Sequence, residues 1–128
     1  MAEVALVEPT GDRRADRLVR GVVGVFEEAF PDRVRGYYVR GSYASGTQTA
    51  DSDLDMFVVF KDRFREPAET ERAHRVSAAC ALLSPVLLEI IPVDEHRLGQ
   101  ERGLTLALNL KRATRLMYGE DIRPGWRS

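Results

Sequence analysis

Residues 54–60, Leu-Asp-Met-Phe-Val-Val-Phe, constrain this chain more than any other stretch. The run is apolar at odd and even positions alike, broken only by Asp55, so both faces of the strand it forms must be covered. It therefore belongs inside a sheet, not at a solvated edge. Immediately upstream, residues 41–52 are crowded with Gly, Ser, Thr and Asp and read as a loop with room for one helical turn. Upstream again, residues 34–40 are short and rich in Val and Tyr, the composition of a second strand. Residues 86–93 give a third strand, in which Glu89 is set among apolar neighbours.

Helical periodicity fills the intervals. Val19, Val23, Phe26 and Phe30 recur at four, three and four residues, and Leu18, Val22 and Val25 widen the same face, predicting a helix over 12–30. Pro31 and Asp32 end it. A second helix is predicted over 66–83, with Pro67 in its first turn and Ala73, Val76, Cys80 and Leu83 on one face. Residues 103–118 carry two patterns. Leu104, Leu106, Leu108 and Leu110 alternate as in a strand, whereas Leu106, Leu110, Ala113 and Met117 fit a helix with Gly119 as its C-terminal cap. Length and the abundance of Ala, Leu, Lys and Arg favour helix. The expected fold class is α/β, an α+β two-layer arrangement in which a small mixed sheet is flanked by helices. The 128 residues fit a single domain, 1–128, that buries roughly two thirds of its unfolded surface.

Charge and cysteine content narrow the function. Nineteen basic and twenty acidic side chains leave a net charge of −1, which argues against non-specific nucleic-acid binding through a whole-protein positive field. Cys80 is the one cysteine, so an internal disulfide and CxxC zinc clusters are excluded. Only Lys61 and Lys111 are lysines. Gly41 to Gly46 mimics the Walker A spacing, but Thr47 stands where that loop requires Lys. The first nine residues include Glu3 and Glu8 and lack the basic and apolar regions of a targeting signal. No apolar run approaches the ~20 residues that cross a bilayer. The expected location is the cytoplasm, without membrane attachment. His74 and His96 read as surface histidines and Cys80 as a core residue.

The chemistry concentrates in residues 41–59. Gly41-Ser42 follows directly on a strand, where a glycine lets backbone N–H groups approach an anion and the Ser42 hydroxyl adds a donor; an ordinary strand-to-loop turn has the same sequence. Asp53 and Asp55 are two residues apart, so their side chains share a face about 6.6 Å apart along the strand. At an effective dielectric of ~20 two such charges repel by about 2.5 kcal/mol. A bridging Mg²⁺ removes that cost, and hard oxygen ligands are what Mg²⁺ prefers. Solvated loop aspartates are the competing reading, weaker for Asp55 because Leu54, Met56, Phe57, Val58 and Val59 surround it. A buried Glu89 needs a partner or a metal. On neighbouring strands it meets Asp53 and Asp55, and three carboxylates can hold two cations about 3.5–4 Å apart. An edge glutamate facing solvent is the alternative, and Asp94 is a rival third acid. Arg40 abuts Gly41 within reach of a bound phosphate, though strand-end arginines are commonly just solvated.

Gly41-Ser42, ten residues, then Asp53-Leu54-Asp55 before an apolar run resembles the signature of the nucleotidyltransferase superfamily that includes DNA polymerase beta. The pattern Gly41, Ser42, Ala44, Gly46, Ser52, Asp53, Asp55 is most similar to the small bacterial aminoglycoside nucleotidyltransferase-like and minimal nucleotidyltransferase domains, and residues 116–121 resemble their end. The resemblance spans nearly the whole chain. It implies that Gly41 and Ser42 hold the phosphates of ATP or another NTP. Asp53 and Asp55 would be nucleotide-binding and metal-binding residues, with Glu89 a third metal ligand or general base. The implied catalytic set is Asp53, Asp55 and Glu89, and the implied cofactor is Mg²⁺, two ions in number.

The implied reaction moves a nucleoside monophosphate, AMP when ATP is the donor, onto a hydroxyl of a small-molecule or protein acceptor and releases pyrophosphate. Larger relatives carry a helical domain after the catalytic one. Here Ser128 falls about where that domain would begin, so the acceptor surface is expected from a homodimer mate or a helical partner protein, or lies outside this sequence. The minimal domains that pair with a helical toxin and silence it make an antitoxin-like role an alternative, as is a non-catalytic module that acts by binding such a partner. Ser45 stands where those antitoxins commonly carry Arg.

Overall fold

The structure is a computed structural model that describes residues 4–98 and 114–123. The elements run α1 (Arg13–Ala29), β1 (Val34–Arg40), α2 (Ser42–Ser45), β2 (Leu54–Phe60), α3 (Pro67–Leu83), β3 (Leu88–Asp94), α4 (Glu95–Leu98) and β4 (Thr114–Gly119). The four strands form one mixed sheet in the order β3-β2-β1-β4. β1 pairs antiparallel with β2 and with β4, and β2 pairs parallel with β3 through the α3 crossover. The α+β class expected from the sequence is the one observed.

Local chemistry explains the helix starts. Asp12 caps α1 by accepting a hydrogen bond from the Ala15 backbone N–H at 2.9 Å, which satisfies one of the four donors a helix leaves orphaned. Pro67 opens α3, where its missing N–H costs nothing. Further along α1, Val19, Val22, Val23, Phe26 and Phe30 are buried as the periodicity requires, whereas Val25 faces solvent.

Alternation along the strands sorts the core into two layers. On one face Leu54, Met56, Val58 and Phe60 of β2 pack with Tyr37 and Val39 of β1, Leu88 and Ile90 of β3, and the buried side of α1. Phe26, Phe30, Phe60 and Phe64 stack edge and face within this layer. On the opposite face Tyr38, Phe57, Val59, Val93, Leu98 and Leu116 form a smaller cluster. β2 is thus covered on both sides, as its apolar run, interrupted only by Asp55, demands.

The structure departs from the sequence expectations in several further places. Residues 114–118, expected to end a helix, are strand β4, which fills the free edge of β1; the rest of that expected helix lies outside the described residues. Gly119 is accordingly no helix cap. It faces Gly36 across the pair at φ +96°, and a Cβ placed on it would lie 2.5 Å from the Arg35 carbonyl oxygen. β3 starts two residues later than expected because Ser84 bonds both the N–H and the carbonyl of Val86 in a tight turn. Finally, Leu83 is exposed rather than packed, since α1 and α3 part there to leave an apolar groove of about 500 Å³ floored by Leu18, Val22, Val25 and Cys80.

Candidate active site

The sheet face opposite α1 and α3 carries the acidic residues. β2 places Asp55 on the same side as Phe57 and Val59, and β3 places Glu89 on the same side as Ile91 and Val93. Because the two strands run parallel in register, Asp55 and Glu89 are direct neighbours, a spacing of about 4.8 Å between strands. Asp53 precedes β2 by one residue and is exposed. The turn that delivers it is closed by the Thr49 N–H donating to Ser52 Oγ at 2.8 Å and the Ser52 N–H donating to the Thr49 carbonyl at 3.1 Å.

Gly41 sits at the end of β1, beside Asp55. Its backbone takes φ +80° and ψ −146°, a conformation essentially reserved for glycine, and a Cβ there would point at Asp55 Oδ2, 3.9 Å away. The turn is completed by the N–H groups of Ala44 and Ser45, which both donate to the Gly41 carbonyl at 3.0 Å. Ser42 is the first residue of α2 and half-buried. The structure thus brings Gly41, Ser42, Asp53, Asp55 and Glu89 to one end of one sheet face.

Glu89 and Asp94, the two acids of β3, are separated by parity. Five residues separate them along a strand, so they point to opposite faces. Asp94 is buried at the far end of β3, accepting from the Phe64 N–H at 2.9 Å and the Arg97 N–H at 2.7 Å. It is a structural acid, and it starts α4. Glu89 is exposed, as an edge-strand glutamate should be, and it is also the residue beside Asp55.

Charge accumulates on Asp55. Burial is the main influence that pushes its carboxyl above the ordinary range; the positive charge of Arg40 draws it back, and the negative charges of Glu89 and Asp53 push it further up. Among the described residues no three acidic, His or Cys side chains already converge into a closed metal cage. The donor set nevertheless fits a hard divalent cation. All three side chains are carboxylates, Asp53 and Glu89 are free to turn inward from solvent, and the charge crowded on Asp55 is of the sign such an ion relieves.

Two buried side-chain atoms in the described residues have no hydrogen-bond partner, Arg40 Nε and Gln48 Oε1. Both belong to the segments that frame the carboxylates. A buried donor left unpaired costs about 1–3 kcal/mol. Arg40 is not the solvated strand-end arginine that sequence alone suggests: it is half-buried, its guanidinium 5.4 Å from the centroid of the Phe57 ring. Its place opposite Asp55 becomes visible only with the β1–β2 register. Gln48 carries no sequence signal that separates it from its loop neighbours. His74 is exposed, and burial pushes the Cys80 thiol up, which leaves it a poor nucleophile.

The mixed sheet joins a Gly-Ser turn to an Asp-x-Asp strand with an acid on the next parallel strand, and its architecture is that of a nucleotidyltransferase-type fold. The nucleotidyltransferase domain family matches residues 19–108, and the chain belongs to that family. It is a nucleotidyltransferase by family and by fold. A Sulfolobus solfataricus protein assigned as a nucleotidyltransferase is 27% identical, with a TM-score of 0.50 over 66% of this chain and 70% of that one. A toxin–antitoxin structure with AMP-PNP shares the fold at a TM-score of 0.57 and 15% identity, over 83% of this chain and 74% of that one. So does the complex of a tri-AMPylated Shewanella oneidensis HEPN toxin with its MNT antitoxin, at a TM-score of 0.55 and 11% identity over 83% and 73% of the two chains. No curated protein matches this chain. Among the described residues no helix is long and apolar enough to cross a membrane.

Proposed function

We propose that this chain is a Mg²⁺-dependent nucleotidyltransferase that moves AMP from ATP onto an acceptor hydroxyl and releases pyrophosphate. The observation that carries the reading is the pairing of Asp55 with Glu89 across parallel strands, with Asp53 two residues away and the Gly41 turn against Asp55. In this reading Gly41 and Ser42 receive the phosphates, and Asp53, Asp55 and Glu89 are the residues that would hold the metal. One Mg²⁺ or two, if held there, would offset the negative charge that develops on the transferred phosphate.

The chain's own residues do the rest. Glu89, exposed at the sheet edge, either joins the two aspartates on the metal or, as general base, takes the proton of the incoming hydroxyl. The acceptor oxygen forms its bond to the α-phosphorus as the bond to the bridging oxygen breaks, and that electron pair leaves with pyrophosphate. Gly41, lacking a side chain, leaves the approach beside Asp55 open.

A hydroxyl on a helical protein is the favoured acceptor over a small molecule, because toxin–antitoxin assemblies are among the proteins of similar fold. An antitoxin-like role in the cytoplasm follows from that reading. The test incubates the protein with α-labelled ATP, Mg²⁺ and candidate acceptors, including proteins encoded beside it. Transfer that is lost in both Asp53→Asn and Asp55→Asn supports the enzyme. Label that moves equally well in both variants overturns it, and a variant-insensitive complex with a helical partner would favour a non-catalytic binding module.

A further inference from the structure

Several arginines of this protein serve structure by donating to carboxylates and backbone carbonyls. Arg33 donates to Glu69 and to the carbonyls of Lys61 and Arg63. Arg35 bonds Glu95 and Glu120, Arg115 the carbonyl of Ala44, and Arg123 Glu8, Asp121 and the carbonyl of Thr114. Arg40 breaks the pattern. Its cross-strand neighbour is Asp55, yet among the described residues it makes no ion pair, and its buried Nε has no partner. A guanidinium that only served the fold would have closed on the nearest carboxylate or carbonyl.

Its surroundings suit a ligand of the carboxylate site. Arg40 shares the site face with Tyr38 and Phe57, its head over the Phe57 ring at 5.4 Å from the centroid, which limits the rotamers it must give up on binding. It directly precedes Gly41 and lies on the β1 side of Asp55, whereas Glu89 lies on the β3 side. An anion that reacts beside the carboxylates and extends toward the glycine turn runs past Arg40. Bidentate recognition of phosphate oxygens is what a planar guanidinium fork does best.

We propose that Arg40 binds the phosphates beyond the α-phosphate and makes the site discriminate a nucleoside triphosphate from a monophosphate. The proposal rests on the nucleotidyl-transfer reading of the same site. It is tested by equilibrium binding of ATP and AMP in excess Mg²⁺ to the native protein, Arg40→Met and Arg40→Gln, with thermal melts of each. ATP affinity is expected to fall by about tenfold or more in both variants while AMP affinity changes less than twofold. Equal losses for ATP and AMP, or ATP binding within twofold of native in either folded variant, overturn it. Arg40→Gln retains a polar stem and decides the question if Arg40→Met does not fold. Native protein that binds ATP and transfers label while the variants bind ATP as well as it does sinks the role of Arg40 alone. Native protein that binds no ATP sinks the transfer reading and this role together.

Discussion

Asp55 and Glu89 face each other in register across the parallel β2–β3 pair, so two carboxylates are held side by side by the backbone rather than by any ligand. Such a pairing stores repulsion. Burial above all, and then the Glu89 and Asp53 charges, hold folded Asp55 above its unfolded value, so its contribution to stability is full below the unfolded value and is lost as pH rises through the folded one. At neutral pH it is a penalty. Asp55→Asn is therefore expected to raise Tm by a few degrees at pH 7 while transfer falls by about 10²–10³-fold, the usual scale for losing a key charged group of a site. Thermal melts and label transfer on the same preparation check both signs.

Divalent cations should act on the same charges. Millimolar Mg²⁺ is expected to raise Tm of the native protein, because whatever binds only the folded state stabilises it. The shift should shrink in Glu89→Gln and vanish in the double variant Asp53→Asn/Asp55→Asn. Differential scanning fluorimetry with and without EDTA reads it without any acceptor.

Gly41 is held at φ +80° and ψ −146° with room for a methyl group, so a substitution there meets conformational strain, not a clash. Gly41→Ala should cost about 1–3 kcal/mol in urea unfolding. Transfer should fall further than the stability loss explains, since the new Cβ points at Asp55.

At Gly119 the obstacle is steric as well. The Arg35 carbonyl oxygen and the Gly36 Cα occupy the space a Cβ would need, at 2.5 and 3.0 Å. Gly119→Ala should destabilise by about 2–4 kcal/mol through loss of β1–β4 pairing, measured as a drop in the urea midpoint.

Glu69 supplies a pH signature remote from the site. Its hydrogen bonds with the nearly buried Arg33 guanidinium hold its carboxyl below the ordinary range. The stability it provides is present above the unfolded value of about 4.3 and is lost as pH falls through the lower folded value. Glu69→Gln should lower Tm at pH 7, and the gap to native should close as both are melted at pH 5, 4 and 3.

The central strands and the two long helices were legible because each carries its own pattern: Val19 to Phe30 at helical spacing, and residues 54–60 apolar except for Asp55. The Gly41, Asp53 and Asp55 trio was legible because its parts lie within fifteen residues. What sequence did not carry was pairing. Residues 114–119 have no clear period of their own and became strand because β1 offered an open edge, a tertiary effect that overrides local propensity. The position of Arg40 opposite Asp55, and the separation of Glu89 from Asp94, likewise follow from register and side-chain parity, which appear only once strands are aligned.

The parallel β2–β3 pairing makes the chemistry a reporter of folding accuracy. Were β3 to slide by a single residue, Leu88 or Ile90 would leave the core to sit beside Asp55 and Glu89 would turn toward the helices, a loss of buried apolar area that leaves strand content unchanged. Preparations containing such a slipped fraction would pass circular dichroism and size-exclusion checks yet lose turnover in proportion, so specific activity is the sharper measure of whether this chain has reached its native alignment.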